Sequence, residues 1–306
     1  MIERVTTQTQ MRAAQRNLQE NMTQLARTQE AASTLNAIRR PSDDPTGTAT
    51  AMQVRSDLRA NGQYQRNTAN ADAWLTTLES SFSATTSLMN RVRDLTVQGA
   101  NDGSMSATAK EAIAVELVGL RDELLNVANT SYLGRTVFAG NSDAGVAYSV
   151  ALSDPADFSS PQVYTFTGDA TTTVERRTSA NSTIRVDADG SAVFGTGDDS
   201  VFSLIDSIVT KLRTDESVSS SLTDIDERMG SILTQHTAAG ARQTLVDRAR
   251  LSLSESAATL EGQRSDVEDL DLGQAILDLQ LQEVTYQAAL AVTARVLQPT
   301  LMDFLR

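Results

Sequence analysis

Apolar residues recur along this chain at alternating steps of four and three, most plainly at its two ends. Met11, Leu18, Met22, Leu25 and Ala32 lie on one stripe, with Gln15 and Gln29 on the same line. That alternation is the coiled-coil period. It predicts a helix over 5–38, about 50 Å long at ~1.5 Å per residue. Two stripes run through 266–298. Leu270, Leu277, Leu281, Val284, Ala288 and Ala291 form one; Ile276, Leu279, Leu290 and Leu297 form the other. Two apolar stripes on one helix imply burial on two sides. The terminal stripes are thin and rich in Ala and Gln, so they stabilise little alone. Both ends are expected to be completed by other subunits. Residues 1–40 and 265–306 are expected to be mobile in an isolated subunit.

Pro41-Ser42-Asp43-Asp44-Pro45 punctuates the chain after the first helix. These five residues read as a turn and cap. Asp44 suits an N-cap, and Pro45 suits the first helical position, where no N–H is needed. The windows 46–154 and 162–298 contain no proline, which permits long helices. Ala71, Leu75, Leu78, Phe82, Met89 and Val92 predict a helix from 45 to about 100, ended by Asn101-Asp102-Gly103. Ile113, Leu117, Leu120, Leu124 and Val127 predict its antiparallel return. Helix resumes near 200 with Leu204, Ile205, Ile208 and Leu212. A longer one carries Leu222, Ile225, Met229, Ile232, His236 and Ala239, and continues through Val246, Leu253 and Leu260.

The pattern changes at Gly140. Short β-type runs appear at Val163–Thr167, Thr172–Arg176 and Thr183–Asp187, with Asp189-Gly190 as a hairpin turn. The stretch holds nine acids against Arg176, Arg177 and Arg185, a balance of 3 − 9 = −6. It reads as a solvent-facing insert, and replacing 141–199 by a short linker is expected to spare the helices. The expected fold is mainly α: a long antiparallel helical bundle or coiled-coil rod with a small β-rich insert. Residues 1–40 with 266–306 supply the inner terminal helices, 41–140 with 200–265 the helical core, and 141–199 the surface insert.

Composition narrows the chemistry. The 306 residues are 40% hydrophobic but only 4% aromatic, which favours helix bundles over a large aromatic core. A net charge of −13 disfavours nucleic acid as a partner. The chain has no cysteine and one histidine, so thiol catalysis, disulfides and most His- or Cys-based metal sites drop out. His236 sits on a helix stripe and reads as a packed histidine. Asp266, Glu268, Asp269 and Asp271 lack calcium-loop spacing and suit a helix start. Trp74, beside Leu75 and Leu78, reads as packing. Asn21, Asn129 and Asn181 head N-glycosylation patterns of the kind that recur by chance. No phosphate loop or nucleophile elbow occurs, so no enzyme, cofactor or metal is expected. No apolar run is long enough to span a membrane. Met1-Ile2-Glu3-Arg4 leads into a polar stretch, so a cleaved secretory signal is not expected.

Asn36-Ala37-Ile38-Arg39-Arg40-Pro41-Ser42-Asp43-Asp44-Pro45-Thr46-Gly47 resembles the segment joining terminal and core helices in flagellins and hook-associated proteins. Asn67–Asp72 and Asn90–Gln98 resemble two further core motifs of that family. The resemblance covers roughly 1–140 and 225–306. The Arg-Pro-Ser-Asp-Asp-Pro form, Tyr132–Gly140, Leu279–Leu290 and Val296–Leu305 resemble the hook-associated branch more than flagellin, which remains the alternative. The resemblance implies a structural subunit of the bacterial flagellum, extracellular and exported through the flagellar type III apparatus. Its implied partners are hook-associated protein 1, flagellin, other copies of itself and an export chaperone, with no nucleic acid and no membrane. Leu18, Met22, Leu25, Leu277, Leu281, Val284, Leu297, Leu301, Phe304 and Leu305 are the expected assembly contacts.

Overall fold

The computed structural model describes residues 7–101, 105–153 and 161–297. Long helices dominate: α1 (Thr7–Thr34), α2 (Pro45–Gly99), α3 (Ala107–Ala128), α4 (Gly190–Phe194), α5 (Val201–Arg213), α6 (Ser221–Glu268) and α7 (Leu272–Leu297). Three antiparallel hairpins lie between α3 and α4. They pair β1 (Ser131–Tyr132) with β2 (Arg135–Thr136), β3 (Tyr148–Leu152) with β4 (Gln162–Phe166), and β5 (Glu175–Ser179) with β6 (Ser182–Arg185). The chain forms two compact units, Met1–Ala60 with Ser256–Arg306, and Asn61–Glu255.

In the Asn61–Glu255 unit the α2 stripe Ala71, Leu75, Leu78, Phe82, Met89 and Val92 is buried throughout. Buried hydrophobic residues of α6 follow a strict heptad: Ile225, Ile232, Ala239, Val246 and Leu253. Ion pairs tie the helix faces together. Arg91 of α2 meets Glu116 of α3, Arg93 meets Asp226 of α6, and Arg213 of α5 meets Glu111 of α3. His236 stacks on Phe82 with ring centroids 5.2 Å apart, and its Nε2 lies 2.8 Å from Glu79 Oε1.

The insert does not stand apart from the helices, as its acidic composition suggested. Phe82 of α2 meets Phe138 edge-on at 5.6 Å; Phe138 meets Phe194 at 5.1 Å; Phe202 of α5 meets Tyr148 at 5.1 Å and Tyr164 at 5.2 Å. Aromatic residues are scarce in this chain, yet six of them close one cluster between helix and hairpin. Tyr148 is anchored further, its hydroxyl donating to the carbonyl oxygen of Gly190 or Gly195. Burial pushes that hydroxyl's pKa above the ordinary tyrosine range. The acids carried by the insert are partly consumed internally. Asp187 is fully buried, pairs with Arg185 and accepts the Val174 N–H.

A second tie is ionic. Arg121 of α3 pairs with Asp206 of α5 and with Asp122, and the Tyr164 hydroxyl of β4 donates to Asp206 at 2.7 Å. Burial opposes the charge on Arg121, but the two carboxylates outweigh it and hold the guanidinium protonated beyond its usual range. Asn129, which ends α3, accepts the N–H groups of Ala147 and Tyr148 and donates to the Tyr148 carbonyl. Its carboxamide is thus spent on the start of β3.

Asp189-Gly190 is not a hairpin turn. The Asp189 carboxylate accepts the Ser191 N–H at 2.9 Å and caps α4. Gly190 is required by contact: a Cβ there would lie 2.6 Å from the Phe138 carbonyl oxygen. β3 (Tyr148–Leu152) is not among the predicted strand runs: Ser149 and Ala151 leave its five residues with little β-branched character.

Candidate assembly surface

The surface begins at the turn between α1 and α2. Asp43 accepts the Arg40 N–H, and Asp44 Oδ1 accepts the N–H groups of Thr46 and Gly47 at 3.1 and 3.0 Å. Pro45 opens α2, so the N–H it lacks is one the helix could not have used. The Gly47 N–H, then the Thr46 hydroxyl, hold the Asp44 carboxyl below its usual range. The cap is therefore complete above the ordinary carboxylate pKa and is lost as pH falls through the lowered value. A Cβ on Gly47 would strike the side chains of Asp44 and Ile38, so a larger residue there would push the capping carboxylate aside. Pro41 and Ser42 are exposed at the turn.

Within the Met1–Ala60 and Ser256–Arg306 unit, α1 packs along α7. The half-buried positions of α1 include Met11, Ala14, Leu18, Asn21, Leu25, Thr28 and Ala32, at steps of three and four. Those of α7 are Leu279, Gln282, Tyr286, Ala289 and Thr293, following buried Ala275. Both contact lines are built largely of small and polar residues. Among the described α7 side chains, Leu279 is the only member of either predicted stripe on this line.

The larger apolar residues of α7 face elsewhere. Leu277, Leu281 and Val284 are 62%, 64% and 63% exposed, and Leu272, Ile276, Leu290 and Val292 are exposed as well. Leu277, Leu281, Val284, Ala288 and Ala291 lie two positions beyond the α1-facing line, about 200° around the helix at ~3.6 residues per turn. They form a second heptad on the opposite side. Of the other expected contacts, Leu18 and Leu25 are half-buried in the α1 line, and Met22 is exposed beside it. The Leu297 side chain, with Leu301, Phe304 and Leu305, lies outside the described residues.

Other candidate residues have structural partners. Trp74 is buried, edge-on to Tyr132 at 5.5 Å, with the Arg176 guanidinium 5.5 Å above its ring. Asp271 accepts the N–H groups of Gly273 and Gln274 and starts α7. Glu268 lies buried beside Arg55. Among the described residues no group of three or more His, Cys, Asp or Glu could hold a metal ion, and no helix is long and apolar enough to cross a membrane.

Residues 5–143 match the family described as the bacterial flagellin N-terminal helical region. Flagellin E of Vibrio cholerae is 34% identical over 128 residues, which is 42% of this chain and 34% of that protein. The chain thus matches only about a third of the length of that relative. Over most of its length the chain is similar to flagellar hook-associated protein 3. The Escherichia coli protein of that name is 25% identical over 283 residues, covering 85% of this chain and 86% of that one. The crystal structure of flagellar hook-associated protein 3 from Legionella pneumophila superposes with a TM-score of 0.60 at 18% identity. It covers 70% of this chain and 99% of that one, a likeness of fold.

Proposed function

We propose that this chain is a structural subunit of the bacterial flagellum that joins the hook to the flagellin filament. The observation that carries the reading is the apolar heptad Leu277–Leu281–Val284, left open on the side of α7 away from α1. Soluble monomers rarely leave such a stripe uncovered unless a partner covers it. A helix paired on one face and apolar on the other suits the inner layer of a tubular assembly. Other copies of the chain would cover it there, with hook-associated protein 1 on one side and flagellin on the other. Leu297, Leu301, Phe304 and Leu305 would extend the same apolar contact. The subunit would be extracellular, delivered by the flagellar export apparatus with a dedicated chaperone. The work of such a part is mechanical matching of two polymers, for which no catalytic group, cofactor, nucleic acid or membrane is required.

Flagellin is the second reading, favoured by the family match over 5–143. The two differ in self-addition. A filament subunit must match itself repeatedly, whereas a junction subunit meets different neighbours below and above. Purified full-length protein, concentrated under conditions that polymerise flagellin, is expected to form no long filaments by electron microscopy. Long homopolymers would assign the chain to the filament.

A further inference from the structure

Where α1 gives way to α2 and α6 gives way to α7, the two chain breaks are stitched together. Asn36 and Asp269 form an isolated antiparallel bridge. The Ala37 N–H donates to the Glu268 carbonyl at 2.8 Å, and the Leu270 N–H to the Leu35 carbonyl at 3.0 Å. The Glu268 side chain is 6% exposed. Arg55 Nη2 donates to its Oε2 at 2.8 Å, and Nε lies 2.6 Å from Oε1 as an ion-pair contact without hydrogen-bond geometry. Arg264 adds a weaker contact at 3.5 Å. Leu35 is held at φ 59°, a left-handed conformation that leucine adopts only at a cost of about 1–2 kcal/mol. Such strain persists where the surroundings over-determine it.

The pair that leaves this joint has little register of its own. A shift of seven residues along α1 carries Leu18 to Leu25 and Leu25 to Ala32, and exchanges Ala14, Asn21 and Thr28. On α7 it carries Ala275 to Gln282 and Gln282 to Ala289. Contacts of small and polar side chains at heptad spacing are nearly repeated after such a slip, and the larger ones fall on one another's places, Leu18 on Leu25 and Leu279 on Tyr286.

We propose that the Asn36–Asp269 joint, held by the Arg55–Glu268 ion pair, is a register lock for the terminal helices. It starts the α1–α7 pair at one fixed alignment, and order propagates from the joint toward Thr7 and Leu297. Mobility expected of thin terminal stripes then belongs to the ends away from the joint. The device is a property of the single subunit and stands independently of whether the chain joins hook to filament.

The absence of cysteine allows direct measurement in the full-length chain. Spin labels at Gln24→Cys and Gln280→Cys, both exposed, report the alignment as an electron-spin distance distribution. The native background should give one narrow distance. Arg55→Ala should broaden it or add a population displaced by about 10 Å, one heptad at ~1.5 Å per residue. Glu268→Ala should do the same more weakly, because Arg55 is largely exposed and regains water, whereas Arg55→Ala strands a buried carboxylate. Helicity and a label pair between Asn90 and Thr223 positions should not change. If Arg55→Ala fails to fold, Glu268→Met keeps the side-chain bulk without the charge, and a broadened distance is expected there too. A single unshifted distance in the folded variants would overturn the proposal. A broad distribution already present in the native background would overturn it equally, since nothing would then be locked.

Discussion

Replacing Leu277, Leu281 and Val284 together by aspartate is expected to leave the isolated subunit folded and to abolish its incorporation into a flagellum. The three side chains are more than 60% exposed in the single chain. Surface substitutions of this kind usually change stability by only about 0.5 kcal/mol each. In an assembly the same positions would be covered. Each buried leucine or valine then contributes roughly 1.5–3 kcal/mol, and each buried aspartate adds a desolvation cost. The summed loss, several kcal/mol, corresponds to at least about a thousandfold weaker association. Circular dichroism and size-exclusion chromatography should match the parent protein. Labelled variant protein should be absent from purified flagella of cells that carry it as their only copy. Incorporation at the parental level would show that this face of α7 is not an assembly surface.

The second large effect concerns the hairpins. Excising residues 141–199 and closing the gap with a flexible linker should unfold much of the Asn61–Glu255 unit. The excised stretch removes Tyr148, Tyr164, Ile184, Val186, Val193 and Phe194 from a cluster in which all are buried. It uncovers Phe82, Phe138 and Phe202 and strips Asp206 of its Tyr164 partner. Truncating one buried Phe or large aliphatic residue costs about 2–5 kcal/mol. Whole domains are stable by only roughly 5–15 kcal/mol. Urea unfolding followed by far-ultraviolet circular dichroism should show a broad, early transition in place of one cooperative step. A sharp transition at the parental midpoint would mean that the helices form their own core without the hairpins.

The helical fold was readable because its periodicity is carried by large apolar residues. Leu75, Leu78, Phe82 and Met89 mark the inner face of α2, and Ile225 and Ile232 that of α6. Proline-free windows predicted the great length of these helices, and the flagellin-type motifs anticipated the family match over 5–143. The hairpin region was harder. Its sequence alternates weakly, and its burial depends on partners distant in sequence: Tyr148 rests on Phe194 and Phe202, and Arg176 on Trp74. Local composition therefore exaggerated its exposure.

For the terminal pair the difficulty was of another kind. Hydrophobic patterning finds leucine and valine, but α7 meets α1 mostly through Ala275, Gln282, Ala289 and Thr293, with Leu279 and Tyr286 between them. Small residues permit close approach without registering as an apolar stripe. The stripe that stood out, Leu277–Leu281–Val284, is the one the single chain leaves open. The joint was hidden as well, because Arg55 and Glu268 are 213 residues apart and nothing local marks them as partners.

Deletion of the gene from its parent bacterium tests the junction role most directly, with hooks and filaments counted by electron microscopy and flagellin assayed in the medium. A chain that joins hook to filament predicts intact hooks without filaments, flagellin shed into the medium, and attached filaments restored by a plasmid-borne copy. Normal filaments on the deleted cells would contradict the account. Bare hooks with no shed filament protein would contradict it too, because the missing chain would then be the filament subunit itself.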